Sequence, residues 1–557
     1  MDTQRLILFA AFMLLSMSLW QSWQIQVNPP PTISNSDGST SSSTNQAGTA
    51  VKNDLPAVPL SEQQIQGSTS APAIAQKLNR GQRVSIKTDV FDIEIDTIGG
   101  DIRRVALLNY PVDVNKDPSP VVLMNDKSGL FFISQTGLLS ASKNDNYAPD
   151  HNIIYSISQL SYELGEQSEL KVPLTWTSVD GKFTLTKIYK FYPGNYEIGL
   201  EHQITNNSDN PWNGHLYRQL QRTTVEQTNM FLQTYTGAMI SKGVDGFEKI
   251  DFPEMLEANL SRSNKGGWIS MIQHHFMGAW IPPQNSAENY YTRVTEKNTA
   301  DPHYIVGTIS SAKQVRPTET IVLKDSLFIG PKLQSQINKL APGLDSTVDY
   351  GFLSVIAHPI YWLLEKIQTV VNNWGWSIIF LTIIIKGIFY KLSAASYKSM
   401  AHMRKVTPRL KALQEQFKDD SAGKNKAMME LYKKEKINPL GGCLPILVQI
   451  PVFISLYWVL LESVEMRQAD FMLWLNNLSA PDPYYVLPLI MGVSMFVQQK
   501  LNPAPMDPVQ AKVMMMLPII FTVFFAFFPS GLVLYWVVNN LLSITQQWYI
   551  TRSIENA

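Results

Sequence analysis

Two hydrophobic periods divide the chain. From about residue 82 apolar and polar positions alternate, as in VSIKTDVFDIEID, FTLTKIYKFY and YEIGLEHQITNN, with turn signals at DGK (180–182) and YPGN (192–195). A period of two marks strands with one face in a core, so one large antiparallel β-sandwich is predicted over 81–345. From 350 onward the apolar residues gather into blocks close to the ~20 residues that a helix needs to cross a hydrocarbon layer. They predict transmembrane helices at 374–392, 440–462 and 483–501. A longer block from 514 contains FFPSG (527–531), where proline and glycine make a turn. It therefore splits into helices 514–528 and 530–549.

A further apolar run, LILFAAFMLLSMSLW (6–20), follows MDTQR. A basic residue before an apolar core also opens a signal peptide, but Trp20, Gln21 and Trp23 stand where cleavage needs small residues. The expectation is a retained anchor over 1–24, making six spans, followed by a flexible tether over 25–80 that includes SNSDGSTSSSTNQAGTA. Within 350–373, Ile360, Leu363, Leu364, Ile367, Val370 and Val371 fall at helical spacing. They predict an amphipathic helix in the outer membrane interface, the alternative being a helix packed on the sandwich. Residues 393–438 read as a helical hairpin. Met400, Met403, Leu410, Leu413 and Phe417 face Met428, Leu431 and Tyr432 across DDSAGK (419–424).

Charge orients these elements. The formal net charge is zero, so no global field points to nucleic acid, and no specific DNA binding is expected. The segment 391–436 carries twelve lysines and arginines against five acidic residues, which places it in the cytoplasm. The following loop, 463–482, with Glu465, Asp470 and Asp482 against Arg467, belongs outside. A second cytoplasmic loop (502–513) and a short tail (550–557) complete the topology, with both termini cytoplasmic. The basic surface of the hairpin suits anionic headgroups or ribosomal RNA phosphates, or serves only as a positive-inside loop.

Chemistry is sparse. The single cysteine, Cys443, excludes an intramolecular disulfide and a cysteine zinc site. Neither HExxH, GxSxG nor a Walker A loop occurs, and the adjacent His274 and His275 point to opposite faces of a strand. No enzyme activity, metal, cofactor or nucleotide is expected. One residue stands out: Lys386, inside FLTIIIKGIFYKL (380–392). A lysine at mid-membrane costs roughly 2.5–3.5 kcal/mol. It could snorkel to the cytoplasmic edge, about 9 Å away along the helix, although Lys391 already marks that edge. Alternatively it faces a water-filled cavity with Thr382 one turn earlier. Gln449, Ser494, Gln498, Gln499, Asn539, Asn540 and Ser543 would supply polar groups from the partner spans. A solute transporter with Lys386 as an anion site is the rival reading.

Four stretches carry a resemblance: NWGWSIIFLTIIIKGIFYKLSAASYKSM (373–400), KINPLGGCLPILVQIPVFISLYWVL (436–460), DPYYVLPLIMGVSMFVQQKL (482–501) and FFPSGLVLYWVVNN (527–540). With KGGWISM (265–271), they resemble the YidC membrane protein insertase family in its long Gram-negative form. The resemblance implies a five-helix core around a hydrophilic groove, a periplasmic β-supersandwich, and residence in the bacterial inner membrane. It implies insertion and folding of nascent membrane proteins, alone or beside the Sec translocon, without cofactor or nucleotide. By the same resemblance Lys386 takes the place of the groove arginine and Thr382 that of a groove threonine. Ile450, Pro451 and Phe453 fall on the apolar slide, and Tyr535 and Trp536 on its aromatic pair. The tail TRSIENA lacks a basic extension, leaving ribosome contact to the cytoplasmic loops.

Overall fold

The computed structural model describes residues 55–56, 80–113, 117–127, 129–141, 147–225, 234–243, 246–299, 301–417, 420–435, 444–502 and 508–555. The predicted anchor, nearly all of the tether and Cys443 lie outside them. The chain forms two compact units, one ending at Val348 and one running from Asp349 to the C-terminus.

The first unit is built from two sheets. The larger runs in the order Ser261–Lys265, Ala287–Thr295, His303–Ser310, Trp212–Arg222, Phe132–Ser140, Asp101–Asp113, Phe91–Asp96, Arg83–Lys87, Ser161–Glu163. The smaller runs Phe247–Ile250, Thr236–Ser241, Ile269–Gln273, Phe276–Ile281, Glu319–Pro331, Glu197–Asn206, Phe183–Phe191, Leu170–Thr177. Phe183–Phe191 shows why alternation reads as a strand: Phe183, Leu185, Lys187, Tyr189 and Phe191 are buried, and the residues between them are partly exposed. The sheets approach closely at Gly278, where a Cβ would lie 2.8 Å from Met124 and 3.0 Å from Phe132.

Charged residues cross this interior. Arg218 donates to Glu288 at 2.9 Å and lies 2.6 Å from Asp325 of the other sheet. Burial raises the Asp325 carboxyl, but Arg218 and His202 outweigh it and hold the group below its usual range. His202, fully buried beside Thr136 (3.2 Å), is pushed down to about 4 by desolvation, against the pull of Asp325. Buried charges persist only when paired in this way.

The second unit is helical: α1 (Ser354–Val371), α2 (Trp374–Ile388), α3 (Tyr390–Gln416), α4 (Ser421–Lys434), α5 (Leu444–Glu462), α6 (Val486–Leu501), α7 (Pro508–Phe525) and α8 (Ser530–Glu555). No single described helix is long and apolar enough to cross a membrane alone; α2 with the start of α3 passes only as a pair bent by 67°. The predicted boundary between the span 374–392 and the hairpin from 393 falls just past that bend. The helix breaks at Phe389 (φ −89°, ψ 7°) and restarts at Tyr390. Lys386 therefore sits in the last turn of α2, not at the middle of a continuous span. α8 continues to Glu555, through most of the predicted tail 550–557.

α1 buries Ala357, Ile360, Tyr361 and Leu364 and packs against α2 and α5, whereas Val370 of the predicted stripe is 81% exposed. In the hairpin, Val406 and Leu410 are the buried seam, with Met403, Met428, Leu431 and Tyr432 against them. The loop after α5 is packed rather than splayed. Asp482 is buried and accepts from Trp474 Nε1 and the Tyr484 and Leu487 amides. Outward, Ile383, Ile384 and Ile388 of α2, Leu489, Val493 and Val497 of α6, and Ile519 and Val523 of α7 are exposed. Apolar surface on this scale marks a partner or a lipid environment.

Candidate functional site

α8 is the polar hub of the helical unit. One turn of it, Asn539 to Ser543, reaches three other helices. Asn539 Oδ1 accepts from Gln449 Nε2 of α5 at 2.6 Å, and Asn540 Nδ2 donates to Ser494 Oγ of α6 at 2.9 Å. Ser543 Oγ accepts from Lys386 Nζ of α2 at 2.8 Å and donates its own proton to the Asn539 carbonyl at 2.7 Å. Amide and hydroxyl groups inside an apolar bundle need such partners, and the bonds from Gln449, Asn540 and Lys386 each tie two helices.

All of these residues except Ser494 border a cavity of about 300 Å³. Part of its lining is polar: Lys386, Gln449, Gln498, Gln499, Asn539 and Ser543. The rest is largely apolar and aromatic, including Ile450, Phe453, Leu517, Tyr535 and Trp536. Phe453 lies edge-on to Trp536 (centroids 4.7 Å, 85°) and stacks on Tyr535 (6.2 Å, 25°), while Trp536 also meets Phe525 at 5.3 Å. The aromatic cluster spans α5, α7 and α8, so it fixes the separation of those helices as well as the cavity wall. Lys386 has no carboxylate within ion-pair distance among the described residues. An ammonium with one hydroxyl partner retains two donors for an anionic or carbonyl group.

Nine of the eleven residues singled out by sequence line the cavity: Lys386, Gln449, Ile450, Phe453, Gln498, Gln499, Tyr535, Trp536 and Asn539. Thr382 and Pro451 do not. Thr382 is fully buried and its hydroxyl donates to the Ile378 carbonyl of its own helix at 2.6 Å, so the cavity-facing role expected of it is not where the structure puts it. The Pro451 carbonyl accepts from Ser455 Oγ at 2.8 Å. Sequence reasoning missed a whole wall. Ser393, Ser396, Tyr397 and Met400 of α3 face the cavity, at i, i+3, i+4 and i+7 of YKLSAASYKSM. That spacing was available, but ending the span at 392 assigned Met400 to the hairpin seam instead. Met495 and Met514 add further unbranched, polarizable lining.

The chain matches two family models: 60Kd inner membrane protein over 366–557 and YidC periplasmic domain over 83–363. It is 49% identical over 561 residues to the membrane protein insertase YidC of Methylococcus capsulatus, covering 100% of this chain and 99% of that protein. It is 47% identical to the protein of the same name from Thioalkalivibrio sulfidiphilus, again over 100% of this chain and 99% of that one. A crystal structure of an active YidC insertase with its first transmembrane domain resolved is similar over 85% of this chain and 93% of that chain, at 18% identity and a TM-score of 0.39. Both units are thus matched, the strands by one model and the helices around the cavity by the other, and the chain belongs to the YidC membrane protein insertase family.

Proposed function

We propose that this protein inserts and folds membrane proteins of the bacterial inner membrane through the cavity between α2, α3, α5, α6, α7 and α8. The observation that carries this reading is a cavity lined by both polar and aromatic residues, with a lysine that has no carboxylate partner among the described residues, in a unit that exposes many large apolar side chains. A short hydrophilic client segment enters the polar side, where Lys386 holds its acidic residues. The client's apolar helix lies against Ile450, Phe453, Tyr535 and Trp536 and then exchanges that wall for lipid. Transfer of apolar area, at roughly 25 cal/mol per Å², drives the exchange without nucleotide hydrolysis.

In this reading the cavity opens to the cytoplasm and to lipid, both termini are cytoplasmic, and the sandwich unit is periplasmic. The protein works alone or beside the Sec translocon, and the basic hairpin meets the ribosome. The twelve basic residues of 391–436 support that orientation. Depleting the protein and following protease protection of a small two-span client tests the reading. Insertion is expected to fall sharply, and unimpaired insertion overturns it.

A further inference from the structure

We propose that Ser543 is a positioning residue that holds the Lys386 ammonium at the cavity wall, so that the site discriminates clients by the acidity of their translocated segment. The proposal rests on the insertase reading above. Its basis is the direction of two hydrogen bonds. Ser543 Oγ gives its single proton to the Asn539 carbonyl at 2.7 Å, so towards Lys386, 2.8 Å away, it offers only a lone pair. A serine committed in this way is a fixed acceptor for an ammonium and not an interchangeable partner.

The platform beneath it is anchored. Ser543 is 2% exposed, and the preceding turn is pinned to α5 through Asn539 and to α6 through Asn540. Lys386, by contrast, stands on a helix end. α2 breaks at Phe389, and a Cβ at the neighbouring Gly387 would meet nothing within 4 Å. Lys386 itself is partly buried at the cavity, and Ser543 is its one hydrogen-bond partner among the described residues. Without that acceptor the ammonium is free to follow the helix end towards water. With it, the charge stays beside Gln449 and Asn539, with two N–H donors left for a client carboxylate.

Full-length protein reconstituted in liposomes provides the test, with two clients that differ only in carrying Asp and Glu or Asn and Gln in the translocated segment. Ser543→Ala and the nearly isosteric Ser543→Cys are expected to lower the acidic-to-neutral insertion ratio by about 3- to 10-fold, the effect of losing one hydrogen bond. Ser543→Thr restores the ratio, and in a Lys386→Ala background Ser543→Ala leaves it unaltered. A ratio unchanged in both Ser543→Ala and Ser543→Cys overturns the positioning role, as does a loss that persists without Lys386. If the unsubstituted protein inserts neither client, the insertase reading itself fails.

Discussion

Arg404 Nη2 donates to the backbone carbonyl of Lys500 at 3.0 Å, at the C-terminal end of α6. Its neighbour Lys405 does the same for α8, reaching the Ile554 carbonyl at 2.9 Å. The last carbonyls of a helix lack intrahelical donors and carry the negative end of its dipole. Two consecutive basic residues of α3 thus cap two different core helices. They fasten the base of the hairpin to the cavity that its Ser393, Ser396, Tyr397 and Met400 help to line.

That fastening is testable. Each exposed cap contributes about 0.3–1 kcal/mol, so Arg404→Ala together with Lys405→Ala should raise amide hydrogen exchange across 393–410 several-fold. Exchange within the sandwich serves as the internal reference and stays constant. Unchanged exchange in α3 would show that packing alone seats the hairpin.

The charge at residue 386 should matter more than its exact chemistry. Lys386→Arg keeps a cation beside Ser543 and is expected to retain insertion, whereas Lys386→Ala weakens insertion of clients with acidic translocated segments. Protease protection of matched clients reads both. If Lys386→Ala supports acidic clients fully, the lysine serves only to hydrate the cavity or to anchor α2.

Much of this architecture was legible from hydrophobic period alone. Alternation located strands with one face in the core, such as Phe183–Phe191, although others, such as Phe276–Ile281, are buried along their whole length. The break at Phe389 was not legible, because Ile388, Phe389 and Tyr390 continue the apolar run while the backbone turns by 67°. Apolarity reports surroundings and not chain direction. For the same reason Thr382, at helical spacing from Lys386, was expected in the cavity, yet its hydroxyl bonds the carbonyl four residues back. A threonine inside an apolar helix satisfies itself locally as readily as it faces water. Buried charges such as Arg218 and Asp325 left no sequence signal, since their pairing joins strands far apart in the chain.

His202 predicts a pH response in the sandwich. Folding holds it neutral, with desolvation lowering its pKa from 6.5 to about 4. Between those values the unfolded chain binds a proton that the folded chain does not, so stability is complete above pH 6.5 and declines as pH falls towards 4. At 1.36 kcal/mol per unit the loss is on the order of 3 kcal/mol. Asp325, kept ionised by Arg218 against its own burial, does not titrate in that window. His202→Gln should flatten the pH dependence of hydrogen exchange in Glu197–Asn206 and Glu319–Pro331. A slope identical to that of the unsubstituted protein would assign the response to other groups.

Tyr361 and Glu465 predict a response of opposite sign outside the predicted spans. The Tyr361 hydroxyl of α1 donates to Glu465 Oε1 at 2.8 Å, and Oε2 is buried without a hydrogen-bond partner among the described residues. Burial pushes the Glu465 carboxyl up. A carboxyl raised by burial on folding favours the protonated state, so its contribution to stability is greatest in acid and is lost as pH rises through the folded value. The Tyr361 hydrogen bond, which favours the carboxylate, offsets part of the shift. Tyr361→Phe removes the donor and leaves Oε1 unpaired, which costs about 1–3 kcal/mol for a buried acceptor. Glu465→Gln keeps an acceptor for Tyr361 and removes the charge. Thermal unfolding of the detergent-solubilised protein at pH 7 should therefore show Tyr361→Phe destabilised and Glu465→Gln equal to or above the unsubstituted protein. If Glu465→Gln instead unfolds at the lower temperature of Tyr361→Phe, the carboxylate has a stabilising partner, and the sign of the pH response reverses.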